Sequence, residues 1–234
     1  MKPPSATGGG RGLTTRVKTA KGRSVGSQIW LQRQLNDPYV RAAVAAGLRS
    51  RAAFKLKELD EKYHLLKPGG RVVDLGAAPG GWTQVAIGVV GDRGKVVALD
   101  ILPMDPLPGS IVLQGDFQDD TAEQAVLAAL DGPADLVLSD MAPNTTGHGA
   151  TDHLRIMGLA ELALDFALKV MAPGGGFVAK VFQGGGEKAF LDRLKQNFAT
   201  VRHAKPPASR KDSSELYVVA SGFKARGEAP EPRD

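Results

Sequence analysis

The sequence predicts an α/β fold built on an open, mostly parallel sheet with helices on both faces, and three observations predict it. From Arg71 onward, short apolar runs alternate with segments of helical period, the rhythm of strand, helix, strand. The first run, Arg71–Leu75, enters a loop carrying Gly76, Pro79, Gly80 and Gly81, after which the apolar period becomes about 3.6 over Trp82–Val89. Finally, Asp74, Asp100, Asp116 and Asp140 all stand at or just beyond the carboxyl end of an expected strand, where open sheets of this kind collect their functional groups.

Each element follows from local pattern. Residues 1–27 are rich in Gly, Ser, Thr, Pro, Lys and Arg with almost nothing to bury, and are expected to form a disordered basic arm. One domain over residues 28–224 and a polar tail over 225–234 follow. Asp37-Pro38 is a helix start, with Tyr39, Val40, Ala43, Val44 and Leu48 at helical spacing and Gly47 as the interruption. Ser50 is expected to cap a second helix over Arg51–Tyr63, in which Lys55 lies among Phe54, Leu56 and Leu59. Strands are expected at Arg71–Leu75, Lys95–Leu99, Ile111–Gln114, Ala134–Ser139, Gly175–Phe182, Thr200–His203 and Glu215–Ser221. Helices are expected at Trp82–Val89, Thr121–Leu130, Leu154–Met171 and Glu187–Phe198, with Met141–His153 as a loop.

Composition removes several functional classes. A chain of 234 residues, 42% hydrophobic, can bury one large core. With Cys 0 there is no disulfide, thiolate metal site or cysteine nucleophile, and four scattered histidines argue against a metal centre. No run approaches the roughly eighteen apolar residues a membrane span needs, and the N-terminus lacks a signal-peptide core, so a cytoplasmic location is expected. The net charge of +5 conceals a division: through Lys57 the chain holds twelve Lys/Arg against a single acid, Asp37. That end of the chain is suited to a polyanion.

The chemistry-bearing residues narrow the ligand. Neither GxGxxG nor GxxxxGK[ST] is present, and Asp74 sits inside the strand end, so the loop suits a cofactor with a positive end better than a polyphosphate. A lysine in the apolar run FVAKVF, Lys180, must reach the strand end or occupy a poorly solvated site, where burial tunes it toward proton transfer. Asp140 and Glu215, next to strand ends, are candidates to hold its amine.

These residues lie in segments that together resemble the FtsJ-type family of ribosomal RNA ribose 2'-O-methyltransferases, bacterial enzymes acting on a uridine of large-subunit rRNA. The segments are GLRSRAAFKLKEL (47–59), VVDLGAAPGGWTQ (72–84), LDILPMDP (99–106), LQGDFQD (113–119), LSDMAPNTTG (138–147), MAPGGGFVAKVFQG (171–184) and SRKDSSELYVVASG (209–222). The resemblance implies a Rossmann-like, seven-stranded sheet with its last strand antiparallel, binding S-adenosyl-L-methionine. It implies a catalytic tetrad at Lys55, Asp140, Lys180 and Glu215. It also implies a cofactor set drawn from Asp74, Gly76, Pro79, Gly80, Gly81, Trp82, Asp100, Asp116, Phe117 and Asp140, with Asp100 on the ribose hydroxyls and Asp116 and Phe117 at the adenine. Arg49, Arg51, Lys55 and Arg210 are the implied RNA contacts, and 23S rRNA within the large ribosomal subunit the implied partner. A monomer is expected because no strong self-association segment is visible in the sequence. The sequence departs from the family at Ala53, where an aromatic residue is usual, in the loop 145–155, and at Asp212. A tRNA ribose methyltransferase, a non-enzymatic ribosome assembly factor and a nicotinamide-dependent oxidoreductase are the competing readings, the last disfavoured by the missing GxGxxG.

Overall fold

The computed structural model describes residues 25–143, 146–184, 187–210 and 212–224. Most of the expected basic arm, residues 1–24, and the expected tail, 225–234, lie outside the described residues. The described elements are α1 (Val25–Asn36), α2 (Pro38–Ala45), α3 (Ala53–Tyr63), β1 (Arg71–Leu75), α4 (Gly81–Val90), β2 (Lys95–Asp100) and β3 (Ile111–Gln114). They continue with α5 (Asp120–Leu130), β4 (Ala134–Ser139), α6 (Gly149–Val170), β5 (Met171–Phe182), α7 (Lys188–Asn197), β6 (Phe198–Ala204) and β7 (Glu215–Phe223).

The strands form one seven-stranded sheet in the order β3-β2-β1-β4-β5-β7-β6. β1 to β5 run parallel, and β7 is antiparallel to both β5 and β6. Because side chains alternate across a strand, each strand feeds two cores. Val73, Leu75, Val137, Phe177, Ala179 and Val218 join α5, α6 and α7 on one face. Val72, Leu136, Leu138, Val178, Tyr217 and Val219 join α3 and α4 on the other. This alternation already places the chemistry. Asp140, Lys180 and Glu215 share the parity of Leu138, Val178 and Tyr217, so all three belong to the face that α3 covers.

Four local expectations are corrected. α1 begins at Val25, inside the stretch expected to be arm. α3 begins at Ala53 with Ala52 as N-cap and no side-chain cap bond, so Ser50 does not cap it. Ser50 is spent elsewhere: a Cβ at Gly81 would lie 2.1 Å from its Oγ, so this hydroxyl packs on the start of α4. α6 begins at Gly149, within the expected loop 141–153, because Asp152 in its first turn accepts bonds from Thr146 N, Thr146 Oγ1 and Gly147 N. The first-turn acid thus holds the turn that leads into the helix. β5 begins at Met171, which pairs with Ala134 before the register shifts, so Pro173–Gly175 form an irregularity within the strand rather than a break ahead of it. Gly174 supplies the positive φ, +79°, that this detour needs.

Candidate active site

Two glycine-dependent approaches build the loop after β1. A Cβ at Gly76 would lie 2.2 Å from Met141 Cγ, and one at Gly80 would lie 3.1 Å from both Arg49 Nη1 and Met104 Sδ. Both residues also hold positive φ, +71° and +102°. The glycines are therefore required by the backbone and by the protein's own neighbours. The loop's N–H groups are likewise engaged within the chain. Those of Gly76 and Ala77 reach Leu99 O, that of Gly80 reaches Ala77 O, and that of Ala78 reaches Asp100 Oδ2. These four N–H groups are therefore committed to the protein itself. What surrounds the loop is carboxylate, which fits a cationic cofactor and opposes a polyphosphate.

The expected cofactor residues divide by environment. Asp74 is buried in β1 and accepts a 2.7 Å bond from Thr83 Oγ1, so it braces β1 against α4. Burial pushes its carboxyl up to about 7, against the lowering effect of the Thr83 bonds. Trp82 is also internal: its indole N–H donates to Ala52 O at 2.7 Å and its ring packs 5.6 Å from that of Tyr217. Gly81 lies beneath Ser50, and the Pro79 carbonyl accepts from Arg49. Asp100 is half-buried and accepts from Ala78 N and Leu102 N, each at 2.8 Å, leaving a second lone pair on each oxygen for hydroxyl donors. Asp116 accepts from Gln118 N in a short local turn, and Phe117 stands edge-on to Phe166.

The four residues Lys55, Asp140, Lys180 and Glu215 are brought together from α3, the end of β4, β5 and β7. Lys180 Nζ lies 2.7 Å from Asp140 Oδ1 and donates to the Asp140 main-chain oxygen at 2.8 Å. Lys55 Nζ lies 2.8 Å from each oxygen of Glu215. The cross pairs are looser, at 3.8 Å for Lys55 with Asp140 and 3.9 Å for Lys180 with Glu215. Both lysines are buried, 7% and 8% exposed, so their amines are held among partners rather than in water. At Asp140, burial raises the carboxyl pKa, but the charges of Lys180 and Lys55 and the bonds from Lys180 and Tyr217 outweigh it, and the net shift is downward.

Two members of this cluster escape a reading of the sequence. Tyr217 OH accepts from Lys55 Nζ at 3.0 Å and donates to Asp140 Oδ1 at 2.6 Å, joining the two carboxylate–lysine pairs. Burial, then the neighbouring charges of Asp140 and Glu215, raise its pKa well above the usual phenol value, so it remains a donor. Ser209 Oγ donates to Glu215 Oε1 at 2.7 Å. Tyr217 was findable, since it lies two residues from Glu215 and therefore on the same strand face. Ser209 lies in a connecting loop, where no periodicity assigns direction.

The expected RNA contacts have partners within the chain. Arg49 donates to Pro79 O, Asp105 O and Pro106 O. Arg51 pairs with Asp37 at 2.9 Å and donates to Ala208 O at 2.6 Å, while Arg210 stands 3.6 Å from Asp37. Lys55 is held by Glu215 and Tyr217.

A seven-stranded sheet with a reversed β7, carboxylates at its strand ends and a paired lysine–carboxylate cluster beside a glycine loop defines an α/β methyltransferase. The family model described as FtsJ-like methyltransferase matches residues 48–223, and the chain belongs to that family. Among its relatives is the ribosomal RNA large subunit methyltransferase E of Paramagnetospirillum magneticum, 66% identical over 94% of this chain and 93% of that protein. A protein of the same name from Granulibacter bethesdensis is 62% identical over 97% of this chain and 96% of that protein. Among solved structures, a ribosomal RNA methyltransferase from Plasmodium falciparum matches with a TM-score of 0.67 and 32% identity, covering 75% of this chain and 98% of that one. These findings remove the oxidoreductase reading.

Proposed function

We propose that the protein transfers a methyl group from S-adenosyl-L-methionine to the ribose 2'-hydroxyl of a uridine in 23S rRNA, acting as a cytoplasmic monomer on the large ribosomal subunit. The name shared by its relatives supports the ribosomal RNA substrate. The observation that carries the chemistry is the Lys180–Asp140 pair. A lysine nitrogen has four tetrahedral positions, one taken by its own side chain. At Lys180 two more point to the side-chain and main-chain oxygens of Asp140, which leaves one position for a substrate oxygen.

S-adenosyl-L-methionine, when bound, supplies an electrophilic methyl carbon on a sulfonium. Gly76, Asp100, Asp116 and Phe117 form the wall that would hold it, with carboxylates suited to hydroxyl and amine donors. Lys180 then binds the 2'-oxygen at its remaining position: as a neutral amine its lone pair takes the hydroxyl proton while both N–H groups stay on Asp140, and as an ammonium its third N–H stabilises the developing alkoxide. Asp140 fixes the direction of that amine, and its negative charge would favour a cationic donor. Lys55, held by Glu215 and Tyr217, orients the ribose from the α3 side.

The test is to incubate the purified protein and labelled S-adenosyl-L-methionine with large subunits, deproteinised rRNA and tRNA, then map the modified nucleotide. Label at the 2'-oxygen of a uridine in subunit-bound 23S rRNA is expected. Label confined to tRNA assigns the nearest alternative, and no transfer to any RNA leaves the assembly-factor reading.

A further inference from the structure

Arg49 precedes α3 by four residues and carries one of the few charges of the basic N-terminal quarter that sits beside the cofactor loop. Its sequence position suggests a phosphate contact. Its geometry points in the other direction. The guanidinium donates to Asp105 O at 2.9 Å, Pro106 O at 2.8 Å and Pro79 O at 3.3 Å, so one fork ties the loop after β2 to the loop after β1. Arg49 is itself fixed from behind, because its backbone N–H donates to Gln84 Oε1 at 2.7 Å, and Gln84 Nε2 in turn donates to Gly47 O.

The loop after β2 needs such a tie. Ile101 and Leu102 are 63% and 59% exposed, so apolar burial does little to hold this stretch down. Its base is held at Asp100, whose two oxygens accept from Leu102 N and Ala78 N, one from each loop. Asp100 and Arg49 therefore clasp the same two loops, the acid through their N–H groups and the arginine through their carbonyls. At the arginine clasp is a cavity of about 460 Å3 lined by Arg49, Ala78, Pro79 and residues 102–105. Gly80 belongs to the arrangement, since any Cβ there would meet Arg49 Nη1 and Met104 Sδ at 3.1 Å.

We infer that Arg49 is a positioning residue of the methyl-donor site: it latches the 101–107 loop onto the 76–80 loop and thereby fixes Asp100 and the wall around it before the donor binds. The inference rests on the S-adenosyl-L-methionine reading above. It assigns the latch to donor affinity and takes Arg49 off the RNA-contacting surface. A guanidinium is suited to the task because its planar fork can serve several carbonyls at once, whereas an ammonium on a flexible stem cannot hold the same set in one geometry.

The experiment compares full-length wild type, Arg49→Ala and Arg49→Lys in two titrations, donor binding by calorimetry and the KM for large subunits at saturating donor. With surface-exposed bonds lost, Arg49→Ala is expected to weaken donor binding about tenfold, Arg49→Lys by less, and subunit KM is expected to stay at the wild-type value in both. Should Arg49→Ala fail to fold, the Lys variant carries the same split between the two constants. Unchanged donor affinity, or a rise in subunit KM without loss of donor affinity, overturns the latch. A wild-type protein that does not bind S-adenosyl-L-methionine overturns the donor reading itself, and the latch with it.

Discussion

Lys180 Nζ is bound by Asp140 twice, through the carboxylate at 2.7 Å and through the same residue's main-chain oxygen at 2.8 Å. The amine is thus aimed by the backbone at the end of β4, and a change at Asp140 can remove only one of the two bonds. Lys180→Ala is expected to lower the single-turnover rate by roughly 10³-fold, within the range for a positioned proton-transfer group, while donor affinity is preserved. Lys180→Arg is expected to be equally inactive, because the longer planar group cannot place one atom where Nζ sits. Near-wild-type turnover by either variant removes Lys180 from the chemical step.

Tyr217 links the two halves of the site, receiving a proton bond from Lys55 and giving one to Asp140. Tyr217→Phe keeps the ring against Trp82 and deletes only the hydroxyl. Leaving Lys55 and Asp140 each one partner short is expected to lower stability by about 1–2 kcal/mol and kcat by about tenfold, without a change in donor affinity. Thermal melts and single-turnover assays on the same preparation check both parts. A variant with wild-type kcat reduces Tyr217 to a packing residue.

One helix aligns Glu215 from a distance. Arg51 donates to Ala208 O at 2.6 Å, and Glu58 accepts from Ala208 N at 2.7 Å, so the two peptide groups that flank Ala208 are both gripped, one by α3 and one by the turn just before it. The next residue, Ser209, holds Glu215. Glu58→Ala leaves the Ala208 N–H without this acceptor and is expected to cost about 1–3 kcal/mol and to lower kcat through misplacement of Glu215. Glu58→Gln retains an acceptor oxygen and is expected to recover much of both. Equal kcat in the two variants would show that the grip on Ala208 does not reach the active site.

The sheet was largely legible because its signals are local. Runs such as Ala134–Ser139 and Ile111–Gln114 have their observed bounds in the sequence, where β-branched and aliphatic residues end at Gly or Asp. Lys180 was legible because a lysine in FVAKVF violates the apolar pattern. Lys55 was assigned a role only through resemblance, since its partners lie 85 residues and more away in sequence, at Asp140 and Glu215. Charge alone does not give the partners of these side chains. Arg49 and Arg51 sit in a basic stretch, yet what their guanidinium groups bind is carbonyl oxygen and Asp37, contacts that only the assembled chain creates. The start of α3 was displaced because Ser50 serves Gly81 across the fold, and that of α6 because Asp152 gathers the polar groups just ahead of it.

Asp74 and Asp140 end adjacent strands, yet their environments shift them in opposite directions, and this separates their effects on stability. Burial raises Asp74 from 3.8 to about 7, the Thr83 bonds notwithstanding. Between about pH 4 and 7 the native chain therefore holds a proton at Asp74 that the unfolded chain has released, so stability falls as pH rises through this window and stays lower above it. Asp140 is shifted below 3.8, its lysine partners outweighing burial, so its contribution is present above that value and is lost only as the pH falls below it. From pH 5 to 8, Asp74 is the member of this pair that titrates. Asp74→Asn keeps an oxygen for the Thr83 hydroxyl and removes the ionisation. It is expected to melt above wild type at pH 8, by up to about 4 kcal/mol of added stability, with the advantage shrinking toward pH 5. Each kcal/mol corresponds to about 2–4 °C in Tm for a chain of this size, so scanning calorimetry at the two pH values resolves the trend. A constant difference in Tm across that range would mean that Asp74 is ionised in the folded protein throughout, stabilised by Thr83 and the α4 N-terminus more strongly than burial opposes it.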